Sequence, residues 1–139
     1  MDSMTGQRSI STNNQIARDL AEKIRTGNYQ SAVVGMGYDL IITELDVHDK
    51  GLPADIAERD RATADLARAY LDLMLSYSQL GDIMAWGMSD RYSWLQGRSP
   101  RPDGLAKRPC PYDADFRPKP LREAIATALR NATSRNHRA

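Results

Sequence analysis

Tyr38-Asp39-Leu40-Ile41-Ile42-Thr43-Glu44-Leu45-Asp46-Val47 is the stretch on which the fold turns. Its first half is short, apolar and β-branched, the composition of a buried strand. Its second half sets two carboxylates two residues apart. Strand side chains alternate with a period of two, so Glu44 and Asp46 are expected on one face with Ile42 below them. An apolar strand that turns acidic at its C-terminal end suits a parallel strand delivering a carboxylate to the mouth of an α/β fold. In a barrel of such units, the mouth is where chemistry sits.

Downstream, residues 47–53 read as a loop and residues 54–80 as one long helix. Leu66, Tyr70, Leu73, Tyr77 and Leu80 alternate steps of four and three and draw an apolar stripe. Glu58, Arg59, Arg61, Asp65 and Arg68 fall largely off that stripe and predict a wet face, and Gly81 is expected to stop the helix. A second short strand is expected at 83–86, and strand, helix, strand with a helix this long predicts a crossover between parallel neighbours. Residues 99–120 carry six of the seven prolines and read as a long loop, a length unusual unless it is functional. A last helix is expected over 121–130, with Leu121, Ile125 and Leu129 on one side. Upstream, residues 1–10 read as disordered, and a helix is expected from Ser11 or Thr12 to Gly27 on the spacing of Ile16, Leu20 and Ile24. Residues 31–37 are ambiguous.

Three blocks carry a family resemblance. Ile42-Thr43-Glu44-Leu45-Asp46-Val47 resembles the nucleophile motif of glycoside hydrolase family 10, the retaining endo-β-1,4-xylanases. Trp86-Gly87-Met88-Ser89-Asp90-Arg91-Tyr92-Ser93-Trp94-Leu95 is similar to that family's eighth-strand motif. Arg108-Pro109-Cys110-Pro111-Tyr112-Asp113 with Phe116-Arg117-Pro118-Lys119-Pro120 resembles its closing loop before the last helix. The resemblance implies an α/β chain forming part of a (β/α)8 TIM barrel, about its last two βα units, over residues 37–132. Residues 1–36 form an unmatched, partly helical segment and residues 133–139 a disordered tail. The implied reaction is hydrolysis of internal β-1,4 xylosidic bonds without a cofactor, on xylan or xylo-oligosaccharide.

Length limits that implication. A complete barrel of this kind takes about 250 residues, and the chain has 139. A 6% aromatic content with a single Phe is meagre for a self-contained core. A truncated chain is therefore expected, partnered by the missing barrel portion or by itself. A formal charge of +1 gives no field for nucleic acid or a membrane, and no run approaches the roughly 20 apolar residues of a span. Family members are usually secreted or periplasmic, yet residues 1–11 hold no apolar signal-peptide core. Cys110, the single cysteine, sits between prolines without an activating base and reads as a passive thiol.

The resemblance makes Glu44 the nucleophile. Among four glutamates it is also the one expected on a strand, with Glu22, Glu58 and Glu123 on helices; a plain strand-end salt bridge is the bland alternative. Asp46 is implied as its supporting carboxylate, which in the family bonds a histidine from the preceding strand, and neither His48 nor His137 matches that position. Trp86 and Trp94 are implied to flank the sugar, since C–H faces stack on indoles and an indole N–H donates to hydroxyls; core packing is the rival account. Glu44, Asp46 and His48 make an acid-acid-imidazole row of the type that binds divalent metals. Adjacent strand positions splay, however, so no metal is expected and His48 is taken as a solvent-facing loop residue. The family's acid/base glutamate, in a Trp-x-x-x-Asn-Glu context, occurs nowhere in the sequence. Little activity alone is expected, and the alternative function is a non-catalytic carbohydrate-binding or assembly fragment.

Overall fold

The structure, a computed structural model, describes residues 8–13 and 29–136. Three strands, β1 (Arg8–Asn13), β2 (Tyr38–Leu45) and β3 (Leu80–Ala85), form one sheet in that order, and every pairing is parallel. Helix α1 (Tyr29–Gly35) precedes β2, and α2 (Ile56–Met74) carries the chain from β2 to β3. A 3-10 turn (Asp90–Tyr92), a four-residue α3 (Leu95–Arg98) and a final α4 (Pro120–Asn136) complete the order.

β2 is the central strand because its apolar run can be covered on both sides. Leu40, Ile42 and Leu45 join Val33, Tyr70, Leu71, Met74 and Ala128 in the main core. A smaller cluster of Val47, Ala67 and Leu121 continues it toward the loop end. The passage from α1 into β2 takes two residues. Met36 and Gly37 N–H donate to the Val33 and Val34 carbonyls, and Gly37 adopts φ 84°, which a residue with a Cβ reaches only under strain.

Several expectations are corrected. Residues 8–10, expected to be disordered, and 11–13, expected to open a helix, form β1 instead. Arg8-Ser9-Ile10-Ser11-Thr12-Asn13 has one strongly apolar residue, so its strand character comes from pairing with β2, Arg8 opposite Tyr38 through Thr12 opposite Ile42. Residues 1–7 and the rest of that expected helix lie outside the described residues. The sheet accordingly has three parallel strands and not two.

α2 starts at Ile56, where the Asp55 carboxylate caps it by accepting the Glu58 N–H (2.9 Å), and it ends at Met74, well before Gly81. Tyr77 and Leu80 lie on the extrapolated stripe yet beyond the helix, packing on the same core. Ser76 contributes to the stop by turning its Oγ–H onto the Leu73 carbonyl at 2.6 Å. Residues 133–136, expected in a disordered tail, continue α4; residues 137–139 are outside the description. Among the described residues no helix is long and apolar enough to cross a membrane.

Candidate active site

β2 ends at Leu45, so Glu44 is its penultimate residue and Asp46 lies just past its end. Register irregularities fall at this point on both sides, between Thr12 and Asn13 of β1 and between Ile42 and Leu45 against β3. Strict alternation therefore does not run through Glu44, and it is not what relates the two carboxylates. They are nonetheless electrostatically linked, because the Glu44 charge acts to raise the Asp46 pKa.

Asp46 is 2% exposed. Burial pushes its carboxyl up to about 6, against the pull of the Trp94 indole and the Lys107 ammonium. Its Oδ2 accepts the Trp94 Nε1–H at 2.9 Å, while Oδ1 is buried with no hydrogen-bond partner among the described residues. Trp94 therefore spends its indole N–H on Asp46, and the residue remains 42% exposed. Trp86 follows β3, its backbone N–H donating to the Leu45 carbonyl (3.1 Å), and its ring is 47% exposed. Gly87, at φ 101°, turns the chain immediately afterwards. The C-terminal ends of two adjacent parallel strands thus bring Glu44, Asp46 and Trp86 to one end of the sheet, and the following turn returns Trp94 to Asp46.

The loop of residues 99–119 is locked to this end by charges. The Arg108 guanidinium meets both Asp60 oxygens at 2.7 Å, and its backbone N–H donates to Asp49 Oδ2 at 3.0 Å. Arg101 donates to the Asp49 and Leu52 carbonyls. Lys119 Nζ reaches both Asp90 oxygens (3.1 and 3.0 Å) and the Arg108 and Cys110 carbonyls (2.7 and 2.8 Å). Burial pushes the Asp90 carboxyl up and the Lys119 ammonium down, each opposed by the other's charge. Cys110 is fully buried and its thiol is pushed up to about 12 by burial and the Asp90 and Asp46 charges, which disfavours the thiolate.

Two residues assigned to the surface lie inside this assembly. Arg59, expected on the wet face of α2, is 2% exposed: it donates to the Ala106 carbonyl (3.3 Å) and stands 3.6 Å from Asp49. His48, expected to face solvent, is half-buried with Nδ1 2.9 Å from Lys107 Nζ. Helical periodicity reports which face a residue is on, but not that a distant loop will cover it. Asp90 and Lys119 fall within two of the motif blocks, and their opposite charges were the available sign of a pair. Among the described residues, no three of His, Cys, Asp and Glu are grouped so as to hold a metal ion. Glu58 and Glu123 are helical as expected, and Glu22 lies outside the described residues.

Parallel strands ending at Glu44 and Asp46, with the Trp94 indole bonded to Asp46, define an α/β protein. The family model for glycosyl hydrolase family 10 matches residues 3–128, which takes in the N-terminal stretch where no motif was read. The chain belongs to this family. It is 29% identical over 102 residues to endo-1,4-beta-xylanase 5 of Pyricularia oryzae, covering 71% of this chain and 23% of that protein. It is 34% identical over 105 residues to the thermostable celloxylanase of Thermoclostridium stercorarium, covering 69% and 26%. The chain thus spans about a quarter of the length of these curated relatives.

Among solved structures, it superposes on native xylanase 10B from Thermotoga maritima with a TM-score of 0.64 at 23% identity, covering 90% of this chain and 35% of that one. Xylanase 10B from Thermotoga petrophila RKU-1, solved in complex with xylobiose, gives 0.65 at the same identity and coverage. At that identity the likeness is one of fold.

Proposed function

We propose that this chain carries the attacking half of a retaining endo-β-1,4-xylanase site, on what would be the last three strands of a (β/α)8 barrel. The observation that carries this reading is the cluster of Glu44, Asp46 and Trp94 at the C-terminal end of a parallel sheet, in a chain of this family. Glu44 is assigned as the nucleophile. Its carboxylate oxygen bonds to the anomeric carbon as the glycosidic C–O bond breaks, giving a glycosyl ester that water then hydrolyses. Asp46 is assigned to hold Glu44 in place, and its unpaired Oδ1 supports a place there for one more hydrogen-bond donor. Trp86 and Trp94 are assigned to the sugar, by their exposed ring faces.

A retaining site needs a second carboxylic group about 5–5.5 Å from the first to protonate the leaving oxygen. The family's motif for it is absent from these 139 residues, and general acid assistance is worth about 10²–10⁴-fold. The isolated chain is therefore assigned little activity on xylan.

A 2-fluoro xylobioside bearing a good leaving group bypasses the missing acid. Mass spectrometry after incubation is expected to find the sugar ester on Glu44 and none in Glu44→Gln. Absence of label while xylo-oligosaccharide binding persists and is lost in Trp86→Ala or Trp94→Ala would instead favour the non-catalytic carbohydrate-binding reading, which the half-exposed indoles also support.

A further inference from the structure

Two aromatic rings besides the indoles stand out in solvent. Tyr92, two residues before Trp94, is 72% exposed and Phe116 is 55% exposed, and neither belongs to a hydrophobic cluster among the described residues. Their centroids lie 6.2 Å apart with the ring planes tilted by 47°, so neither ring covers the other's face. Phe116 is also the one non-glycine residue among those described with a positive φ, 61°. A bulky residue reaches that region only under strain, and a ring left half in water buries little to offset it.

A closed turn holds the strained residue. Asp113 Oδ1 accepts the Asp115 and Arg117 N–H groups (both 2.9 Å), and the Phe116 N–H donates to the Asp113 carbonyl (3.1 Å). The Asp113 N–H donates in turn to the Arg117 carbonyl at 2.9 Å. This turn is fastened to the stretch between the two tryptophans. Ser89 Oγ–H donates to the Asp113 carbonyl at 2.8 Å, and Tyr112 exchanges backbone hydrogen bonds with Met88 and Asp90 (both 3.0 Å). The same Ser89 Oγ caps the 3-10 turn that carries Tyr92, accepting the Arg91 N–H at 3.3 Å. Arg91 and Asp115, each next to one of the rings in sequence, pair at 3.3 Å. Backbone continuous with Trp86 and Trp94 therefore sets the position of both rings.

We propose that Tyr92 and Phe116 form a second carbohydrate-stacking platform, which takes a pyranose unit of a xylo-oligosaccharide beyond those held at Trp86 and Trp94. The proposal rests on the assignment of this end of the sheet to xylan. Pyranose C–H faces stack on aromatic rings, and a ring fixed before binding loses little freedom on contact. Glycine at position 116 would close the same turn with less strain, so what Phe116 adds is its ring.

The test uses the full 139-residue chain, in which Phe116 is the single Phe. Labelled with 4-fluorophenylalanine, the chain gives one 19F resonance, readable by magic-angle spinning if the chain assembles. Xylohexaose is expected to shift that resonance saturably, and Tyr92→Ala to weaken the midpoint roughly three- to tenfold, the size of one aromatic contact. The double variant Trp86→Ala, Trp94→Ala is also expected to weaken it, because one oligosaccharide spans both places. Phe116→Gly is expected to lose xylohexaose affinity by a similar factor while its melting temperature holds or rises, which separates loss of the ring from loss of the fold. A resonance that xylohexaose leaves unmoved overturns the proposal, as does a Phe116→Gly chain that binds as tightly as the wild type. A midpoint unchanged in the double tryptophan variant overturns the placement beyond the indoles. Glu44 labelled by the fluorosugar with a silent 19F signal would remove the platform and leave the nucleophile assignment; a shifted 19F signal without label would do the reverse.

Discussion

Around the loop that follows β3, Asp49, Asp60 and Asp90 each meet a guanidinium or ammonium, at 3.6, 2.7 and 3.0 Å. Along β3 itself Gly81, Asp82, Met84 and Ala85 stand exposed, beside an apolar cavity of about 480 Å³ lined by Leu45, Leu75, Leu80, Ile83, Met88 and Leu129. The two regions meet at Trp86 and are built on opposite terms. The loop end buries carboxylates against cations of the same chain, although Asp49 Oδ1 and Arg59 Nε have no hydrogen-bond partner among the described residues. Among the described residues the flank is a parallel edge strand without a further neighbour, although parallel strands are ordinarily covered on both faces. A preorganised site can thus sit on a scaffold whose side wall is unfinished.

The largest effect should come from the loop end. Lys119→Met leaves the Asp90 carboxylate buried without its cation and is expected to cost about 3–5 kcal/mol in chemical denaturation. A cost below about 1 kcal/mol would mean that the pair is incidental and the contrast with the flank false.

Next comes Asp46. Its folded-state pKa of about 6 lies above the ordinary 3.8, so between these values the folded chain keeps a proton that the unfolded chain has released. The Asp46 contribution to stability is expected to fall as pH rises from 4 to 6, by about 3 kcal/mol in all, and to change no further above that range. Asp46→Asn should remove this contribution, making the pH dependence shallower than in the wild-type chain. Denaturation midpoints at pH 4, 5, 6 and 7 measure it, and a slope unchanged by the substitution would assign the effect to another group.

The smallest effect is expected at the flank. Leu129→Lys should change stability by no more than about 0.5 kcal/mol while raising solubility. A loss above about 1 kcal/mol would show that this side is packed within the chain.

β2, the crossover helix and the last helix were legible in the sequence because periodic apolar residues report burial directly. The carboxylates and indoles assigned to the site stood out in the sequence because they lie in contiguous motifs. β1 was not, since Ser9, Ser11 and Thr12 have no pattern until Tyr38 to Ile42 pair with them. The setting of the site was also hidden. Arg59, Lys107 and Lys119 look like surface cations, and only the return of a proline-rich loop encloses them with Asp49, His48 and Asp90. Sequence spacing describes one element at a time, and these contacts join three.

Cys110 has a further use. It is the chain's sole sulfhydryl, and the backbone N–H of the same residue is tied to Asp90 Oδ1. A maleimide can attach only after that strap has lifted, so its rate of attachment is a stopwatch on how often the segment that buries Cys110 comes undone.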